Sequence, residues 1–165
     1  MNQIASYLKK GTSINYPDSE YEITASSMEE CTVSYIKNED SKASTVVIPD
    51  TLVINGLSYK VTCIGKDAFK NNKKLKKVKI GKNVKIVENN AFYGCKNLNS
   101  ISLDNQICKI GSKAFYKCTA LKKVIIPSKV EKIGKQAFYG CKNLRNITIK
   151  TKKLTKKNIG SKAFK

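Results

Sequence analysis

The stretch Ile110–Pro127, which reads IGSKAFYKCTALKKVIIP, contains most of the pattern that decides the fold. Its aromatic residue Phe115 recurs in phase every 23 residues, at Phe69, Phe92 and Phe138, with similar residues around each copy. A fixed period of this size is typical of one supersecondary unit stacked on copies of itself. We number the repeat units 1 to 5 by their phenylalanines, the fifth being Phe164.

Each unit carries further apolar columns after its phenylalanine. A leucine follows six residues later, and two β-branched or aliphatic residues, two positions apart, follow that leucine. In unit 2 these are Leu98, Ile101 and Leu103, with Ser100 and Ser102 on the other face. Spacing by two and β-branched side chains predict a strand. A later column predicts a second short extended segment near residues 130–133.

The segment between the glycine and the strand is shorter and less regular. Residues 112–116 predict a turn or two of α- or 3₁₀-helix, because they are few and follow a glycine. Gly94–Asn97 is typical of a turn into the strand. The interval from Phe138 to Phe164 is 26 residues, so about three extra residues near 150–157 are expected to lie in a loop.

The unit Ile-Gly-x-x-Ala-Phe-Tyr-x-Cys-x-x-Leu-x-x-Ile-x-Ile-Pro resembles the 23-residue class of leucine-rich repeats in the BspA-like bacterial surface proteins. The resemblance covers about residues 61–165 and extends upstream to Thr45. It implies a right-handed solenoid, export from the cell, and adhesion or protein binding at the cell surface. No functional residues transfer with it, because the motif consists of core positions. Asn72, Glu88 and Pro127 depart from the pattern of the other units.

The fold class predicted is therefore an α/β solenoid dominated by strands, with short α or 3₁₀ turns and an N-terminal β-hairpin cap. Residues 1–60 lack the period and are expected to form a β cap over the first unit. Residues 61–165 hold the repeats, with units starting near 64, 87, 110 and 133 and a truncated one at 159. Asn55-Gly56 between two apolar runs predicts a hairpin. Asn2–Lys10 is expected to form a short helix.

The two ends bear on localisation. Residues 1–10 lack the apolar core of a signal peptide, and no stretch approaches the ~20 apolar residues of a membrane span. This pattern fits a cytosolic protein or a mature fragment, and the resemblance favours the second, at the cell surface or outside the cell. The last apolar column has no cover, so we expect the natural protein to continue or this end to pair with another chain.

Charge divides the chain sharply. Residues 1–60 hold five basic and eight acidic residues (net −3), and residues 61–165 hold 27 basic and four acidic ones (net +23). Nucleic acid is not expected as a partner, because one arginine and no aromatic stand among the basic residues of the strands. Two interpretations remain: lysines that keep the stack soluble, or attraction to an anionic surface. The basic candidates for partner binding are Lys76, Lys77, Lys79, Lys122, Lys123 and Arg145.

Catalytic and metal chemistry is poorly supported. The chain has no histidine, and its four acids in the repeats fall in different phases. We expect no enzyme, no cofactor and no metal site. Cys95, Cys118 and Cys141 share one phase and are expected to be small buried thiols in the core. A Cys31–Cys63 bridge is conceivable if the chain is exported.

A tyrosine column follows the phenylalanines, at Tyr93, Tyr116 and Tyr139. Tyrosine is enriched at recognition surfaces, so these residues complete the candidate site, although packing between units also explains them. The predicted function is a non-enzymatic binding or adhesion module of an exported bacterial surface protein, which recognises a protein or glycan through its strand face and adjacent loops. The alternative is a cationic structural spacer attached to anionic cell-wall or host glycan surfaces.

Overall fold

The computed structural model describes residues 7–40 and 42–165, which form thirteen β-strands. Their bounds are β1 Ser13–Asn15, β2 Ser19–Ser26, β3 Cys31–Asn38, β4 Thr45–Val47, β5 Thr51–Ile54, β6 Leu57–Ile64, β7 Lys77–Lys79, β8 Ile86–Val87, β9 Ser100–Ser102, β10 Lys109–Ile110, β11 Lys123–Ile126, β12 Lys132–Ile133 and β13 Asn146–Ile149. Most strands are short because each unit contributes one pass before the chain turns.

Two sets of strands run parallel along the stack, and both predicted strand segments are confirmed. In the short-strand sheet, the end of β6 and the two-residue strands β8, β10 and β12 pair in sequence, with Val87 opposite Ile110 and Ile110 opposite Ile133. The lateral strands β4, β7, β9, β11 and β13 carry the leucine-rich pattern, with Val78 opposite Ile101. Strand partners within the repeat units lie 23 residues apart, so like interior residues face one another. The first lateral pair differs, because Val46 of β4 lies opposite Val78.

The phenylalanines form one continuous internal column. Consecutive rings from Phe69 to Phe164 lie 4.9–5.3 Å apart and within 7° of parallel. Tyr35 of β3 extends the column by one ring, 5.2 Å from Phe69, and Tyr21 ends it by packing edge-on against Tyr35 at 84°. Both tyrosines lie in residues 1–60, which lack the 23-residue period, so the repeat pattern did not predict their place in the column.

The expected α or 3₁₀ turns are not present: residues 7–40 and 42–165 contain no helix. In unit 3, every second N–H bonds three residues back, as Tyr116 does to the carbonyl of Lys113 (3.1 Å). The N–H groups between them bond the next unit, as Phe115 does to the carbonyl of Ala137 (2.7 Å). A helix would direct all these N–H groups into its own segment and remove the bonds that join the units.

The N-terminal segment adds antiparallel strands to the short-strand sheet. β1, β2 and β3 pair antiparallel, and β3 then runs parallel to β6. The hairpin prediction is confirmed: β5 and β6 pair antiparallel around Asn55 and Gly56, which both have positive φ (51° and 75°). β4 already pairs in parallel with β7. Most of the expected Asn2–Lys10 helix lies outside the described residues, and residues 7–10 are not helical.

The insertion near residues 150–157 lies in a loop, as predicted. No strand occurs between β13 and the single bridge that places Ile159 opposite Ile133. Thr151 is buried there and donates its hydroxyl hydrogen to the carbonyl of Val130 (2.7 Å). The extra residues therefore leave unit 5 in register, since Phe164 still stacks on Phe138 at 5.3 Å.

Phe115 is fully buried between Phe92 and Phe138, at 5.1 and 4.9 Å. We predict that Phe115→Ala lowers the free energy of unfolding by roughly 3–5 kcal/mol, because it leaves a cavity in the middle of the column. Urea unfolding followed by circular dichroism measures the change. A variant with the wild-type midpoint would contradict the placement of this ring.

Gly134 is required because the preceding unit passes too close for a side chain. A Cβ atom at this position would lie 2.5 Å from the carbonyl carbon of Gly111. We predict that Gly134→Ala destabilises the protein by roughly 1–3 kcal/mol through overpacking. Glu88→Ala is the matched control, because Glu88 occupies the same phase and already carries a Cβ. Equal thermal melting of both variants would contradict the prediction.

Candidate functional site

The basic candidate residues lie on or beside the outward face of the lateral strands. Lys77 and Lys79 flank buried Val78 on β7, and Lys123 begins β11. Lys76, Lys122 and Arg145 each directly precede the first residue of a lateral strand. The six basic candidates are Lys76, Lys77, Lys79, Lys122, Lys123 and Arg145. All six are exposed, and among the described residues none of them forms an ion pair. Their charge is therefore available to a partner.

The structure brings these six residues together as two clusters instead of one continuous row. Lys76, Lys77 and Lys79 come from unit 1, and Lys122, Lys123 and Arg145 come from units 3 and 4, where the N–H of Arg145 bonds the carbonyl of Lys122 (3.0 Å). Unit 2 lies between the clusters and presents only neutral side chains at the same positions: Asn99, Ser100 and Ser102. The sequence analysis named the basic residues but did not predict the neutral strip between them.

The ladder of lateral strands is interrupted at the same place. The lateral strands form two ladders, β4–β7–β9 and β11–β13, and the described residues form no ladder between β9 and β11. At the neighbouring junction the N–H of Asn99 donates to the carbonyl of Lys76 (3.0 Å). The equivalent bond, from the N–H of Lys122 to the carbonyl of Asn99, is not found among the described residues. Units 2 and 3 remain joined at the start of these strands, where Ala120 bonds Lys96 (3.1 Å).

A groove of about 450 Å³ opens over this interruption. Unit 2 lines one side with residues 99–105, and Lys123, Ile125, Pro127 and Lys150 line the other. The core is slightly opened beneath it: Ile101 is 9% exposed, whereas its counterparts Val78 and Val124 are 4% and 1% exposed. The groove therefore combines a polar floor, apolar contacts and lysines.

The tyrosine column packs as a second aromatic stack. Tyr93 and Tyr116 lie 4.8 Å apart and Tyr116 and Tyr139 lie 5.4 Å apart, with nearly parallel rings. The Nζ atoms of Lys113 and Lys117 lie 5.7 and 5.4 Å from the ring centre of Tyr116. Because neighbours cover both faces of Tyr116, a sugar or base cannot stack on that ring. The half-buried tyrosines present edges and hydroxyl groups, and they belong to the turns, not to the lateral strands.

The aligned thiols are buried, and each bonds the main chain of the preceding unit. The sulfurs of Cys95, Cys118 and Cys141 donate to the carbonyls of Phe69, Phe92 and Phe115 at 3.0–3.1 Å. Burial raises the pKa of Cys95 to about 12, and the pKa of Cys118 is raised by its neighbour Cys141 and by burial. These thiols are core residues, as expected.

The remaining cysteines are free thiols. The Cys31–Cys63 bridge that the sequence left open is not formed, because Cys63 lies opposite Ser34, three residues along β3 from Cys31. Among residues 7–40 and 42–165, no group of three metal-binding side chains comes together. The described part of the chain also contains no helix long and apolar enough to cross a membrane.

Comparison with protein families identifies the repeat. The model of the BspA type leucine rich repeat region matches residues 54–165 in six copies. The chain belongs to the BspA-type leucine-rich repeat family. No curated protein matches the chain.

Solved structures agree with this BspA-type fold. A leucine-rich repeat protein from Bacteroides capillosus is 26% identical, with a TM-score of 0.73 over 83% of this chain and 97% of that one. The pneumococcal vaccine antigen PcpA is 21% identical, with a TM-score of 0.76 over 88% of this chain, which spans 40% of PcpA. The T. pallidum leucine-rich repeat protein is 20% identical, with a TM-score of 0.57 over 79% of each chain. The last two likenesses concern the fold alone.

The thiols of this BspA-type stack should differ in reactivity. We predict that Cys31 and Cys108, which are half-buried free thiols, react with iodoacetamide at pH 8. Cys63, whose pKa burial raises to about 11, should react slowly, and Cys95 should react only after unfolding. Mass spectrometry of the labelled peptides measures each site. Rapid labelling of Cys95 in the folded protein would show that the thiol column is accessible.

Proposed function

We propose that this chain is a non-enzymatic binding module of an exported bacterial surface protein, which recognises a protein or glycan through the lateral strand face. The observation that carries the proposal is the pair of basic clusters on that face. Six basic residues there are exposed and have no ion-pair partner among the described residues. Family membership and the structural neighbours support a surface repeat module.

The stacked architecture suits this role. A rigid stack presents side chains from successive strands at spacings of about 4.8 Å, so a long ligand meets several units at once. Residues on the lateral strands are held by the buried positions between them, as Val78 holds Lys77 and Lys79. The side chains that would contact a partner therefore project from a fixed backbone.

Attraction to an anionic surface is the second candidate function, favoured by the charge. The net charge of +20 raises the local concentration of any polyanion and speeds association. In this alternative the chain is a cationic spacer on cell-wall or host glycans, and many surface lysines contribute equally. The proposed binding module differs because it concentrates recognition on the lateral strands. Of the three stacked tyrosines Tyr93, Tyr116 and Tyr139, the middle one would contribute through its edge and hydroxyl only, because the other two cover both of its faces.

We further propose that residues 1–60 are a cap and residues 61–165 the repeat stack. Two contacts support this division. Tyr21 packs edge-on against Tyr35 and so ends the aromatic column, and the antiparallel strands β1 to β3 cover one edge of the short-strand sheet. A covered edge protects a sheet from pairing with other chains.

Charge reversal on the strand face tests the binding function. We predict that Lys77→Glu/Lys79→Glu/Lys123→Glu weakens binding to immobilised heparin, used as an anionic glycan probe, by roughly tenfold more than a matched triple variant. The matched variant changes three exposed lysines outside the lateral strands to glutamate: Lys66, Lys135 and Lys142. Surface plasmon resonance at several salt concentrations measures both affinities.

The two triple variants carry the same net charge, so only position distinguishes them. Equal losses of binding would support the cationic spacer and contradict recognition by the strand face. Circular dichroism of both variants checks that the stack remains folded.

A further inference from the structure

We infer that the groove between β9 and β11 binds an acidic peptide segment in an extended conformation. The inference rests on the proposed binding role of the strand face, and it names a site and a ligand class within that face. Three features carry it: unpaired main-chain groups, basic residues on both sides of a neutral floor, and apolar contacts in the same groove.

The main-chain groups favour a peptide. The carbonyl of Asn99 and the N–H of Lys122 lack the partners that close the neighbouring junctions, among the residues that the structure describes. β9 and β11 nevertheless remain neighbours, with Cα atoms within 8 Å of each other, so another strand cannot insert between them. A peptide that lies across the junction can still bond these two groups with its own N–H and C=O groups.

The charges around the groove favour acidic side chains. Lys77 and Lys79 of β7 lie directly beside Ser100 and Ser102 in register, and Lys123 stands on the opposite side. The two basic sides are two repeats apart, or about 10 Å at normal strand spacing. A chain lying over the serines finds a lysine on either side for its carboxylates, and the serine hydroxyls can bond to it.

The remaining lining residues argue against a dense polyanion. Asp104 lines the groove and accepts a hydrogen bond from the N–H of Gln106 (3.1 Å), so a negative charge is fixed at that point. Ile125 and Pro127 add apolar surface. A peptide that alternates acidic and aliphatic residues matches this mixture, whereas an evenly charged glycan would meet Asp104 with repulsion.

Filling the floor of the groove tests the inference. The probe is a fluorescein-labelled ten-residue peptide of alternating glutamate and valine, measured by fluorescence anisotropy at low salt. In the groove variant, Ser100→Lys/Ser102→Lys, two long side chains occupy the floor. The control, Asn146→Lys/Thr148→Lys, adds the same charge at the same phase on β13, outside the groove lining. We expect the groove variant to bind at least tenfold more weakly than the wild type, and the control to bind as tightly as the wild type or more tightly.

Charge alone predicts the opposite result, because both variants gain two positive charges. If the groove variant binds the peptide as tightly as the control, or if the wild type does not bind it, the inference is wrong. A failure of this kind leaves the proposed function standing if the charge reversal on Lys77, Lys79 and Lys123 still weakens heparin binding more than its matched control. The two conclusions are therefore tested separately.

Two further measurements cover folding and the competing ligand. If the groove variant melts at a lower temperature than the control, Ser100→Ala/Ser102→Ala replaces it, with an expected loss of binding of a few fold relative to Asn146→Ala/Thr148→Ala. An oligogalacturonate with the same number of carboxylates is the glycan competitor. Weak competition supports recognition of the peptide main chain, and displacement of the peptide at equal carboxylate concentration overturns it.

Discussion

The main-chain hydrogen bonds between successive units are the interaction on which the rest of the structure depends. In each turn segment, alternate N–H groups point along the stack, as Phe115 donates to Ala137 and Phe92 donates to Ala114, both at 2.7 Å. These bonds set the offset between units at one repeat. The stacking of the phenylalanine rings and the bond from Cys118 to the carbonyl of Phe92 then follow, because like positions are already opposite one another.

This constraint separates interior positions from outward ones. An interior column holds similar side chains in successive units, since each ring or thiol packs against its counterpart in the next unit. Outward positions on the lateral strands face solvent and vary freely, from Lys77 to Ser100 to Lys123 in successive units. The change from lysine to serine and back to lysine therefore lies on the surface that a partner would meet. In a repeat protein, the residues that break the repeat carry the information about binding.

The period predicted the columns, both strand segments and the loop insertion, because each shows as a spacing within one unit or between neighbouring units. The helical turns were wrong because the partner of the N–H of Phe115 lies in the next unit, where local sequence preference has no influence. Tyr35 escaped notice because it precedes Phe69 by 34 residues, not by one period. The groove could not be read from residue types, since it arises where two strands do not pair. The only hint was the neutral pair Ser100 and Ser102 among lysines.

The stack tolerates an unpaired lateral junction because units 2 and 3 are joined in several other ways. β8 and β10 pair on the short-strand side, Phe92 stacks on Phe115 at 5.1 Å, and Tyr93 stacks on Tyr116 at 4.8 Å. Pro127 has no N–H, so it cannot make the bond that Lys150 makes to Ile126 at the next junction (2.9 Å). These other contacts hold units 2 and 3 together without the missing main-chain hydrogen bonds. The junction between the lateral strands can therefore stay open without separating the units. A solenoid can thus hold main-chain donors and acceptors available to a ligand, which a closed single-core domain would have to satisfy internally.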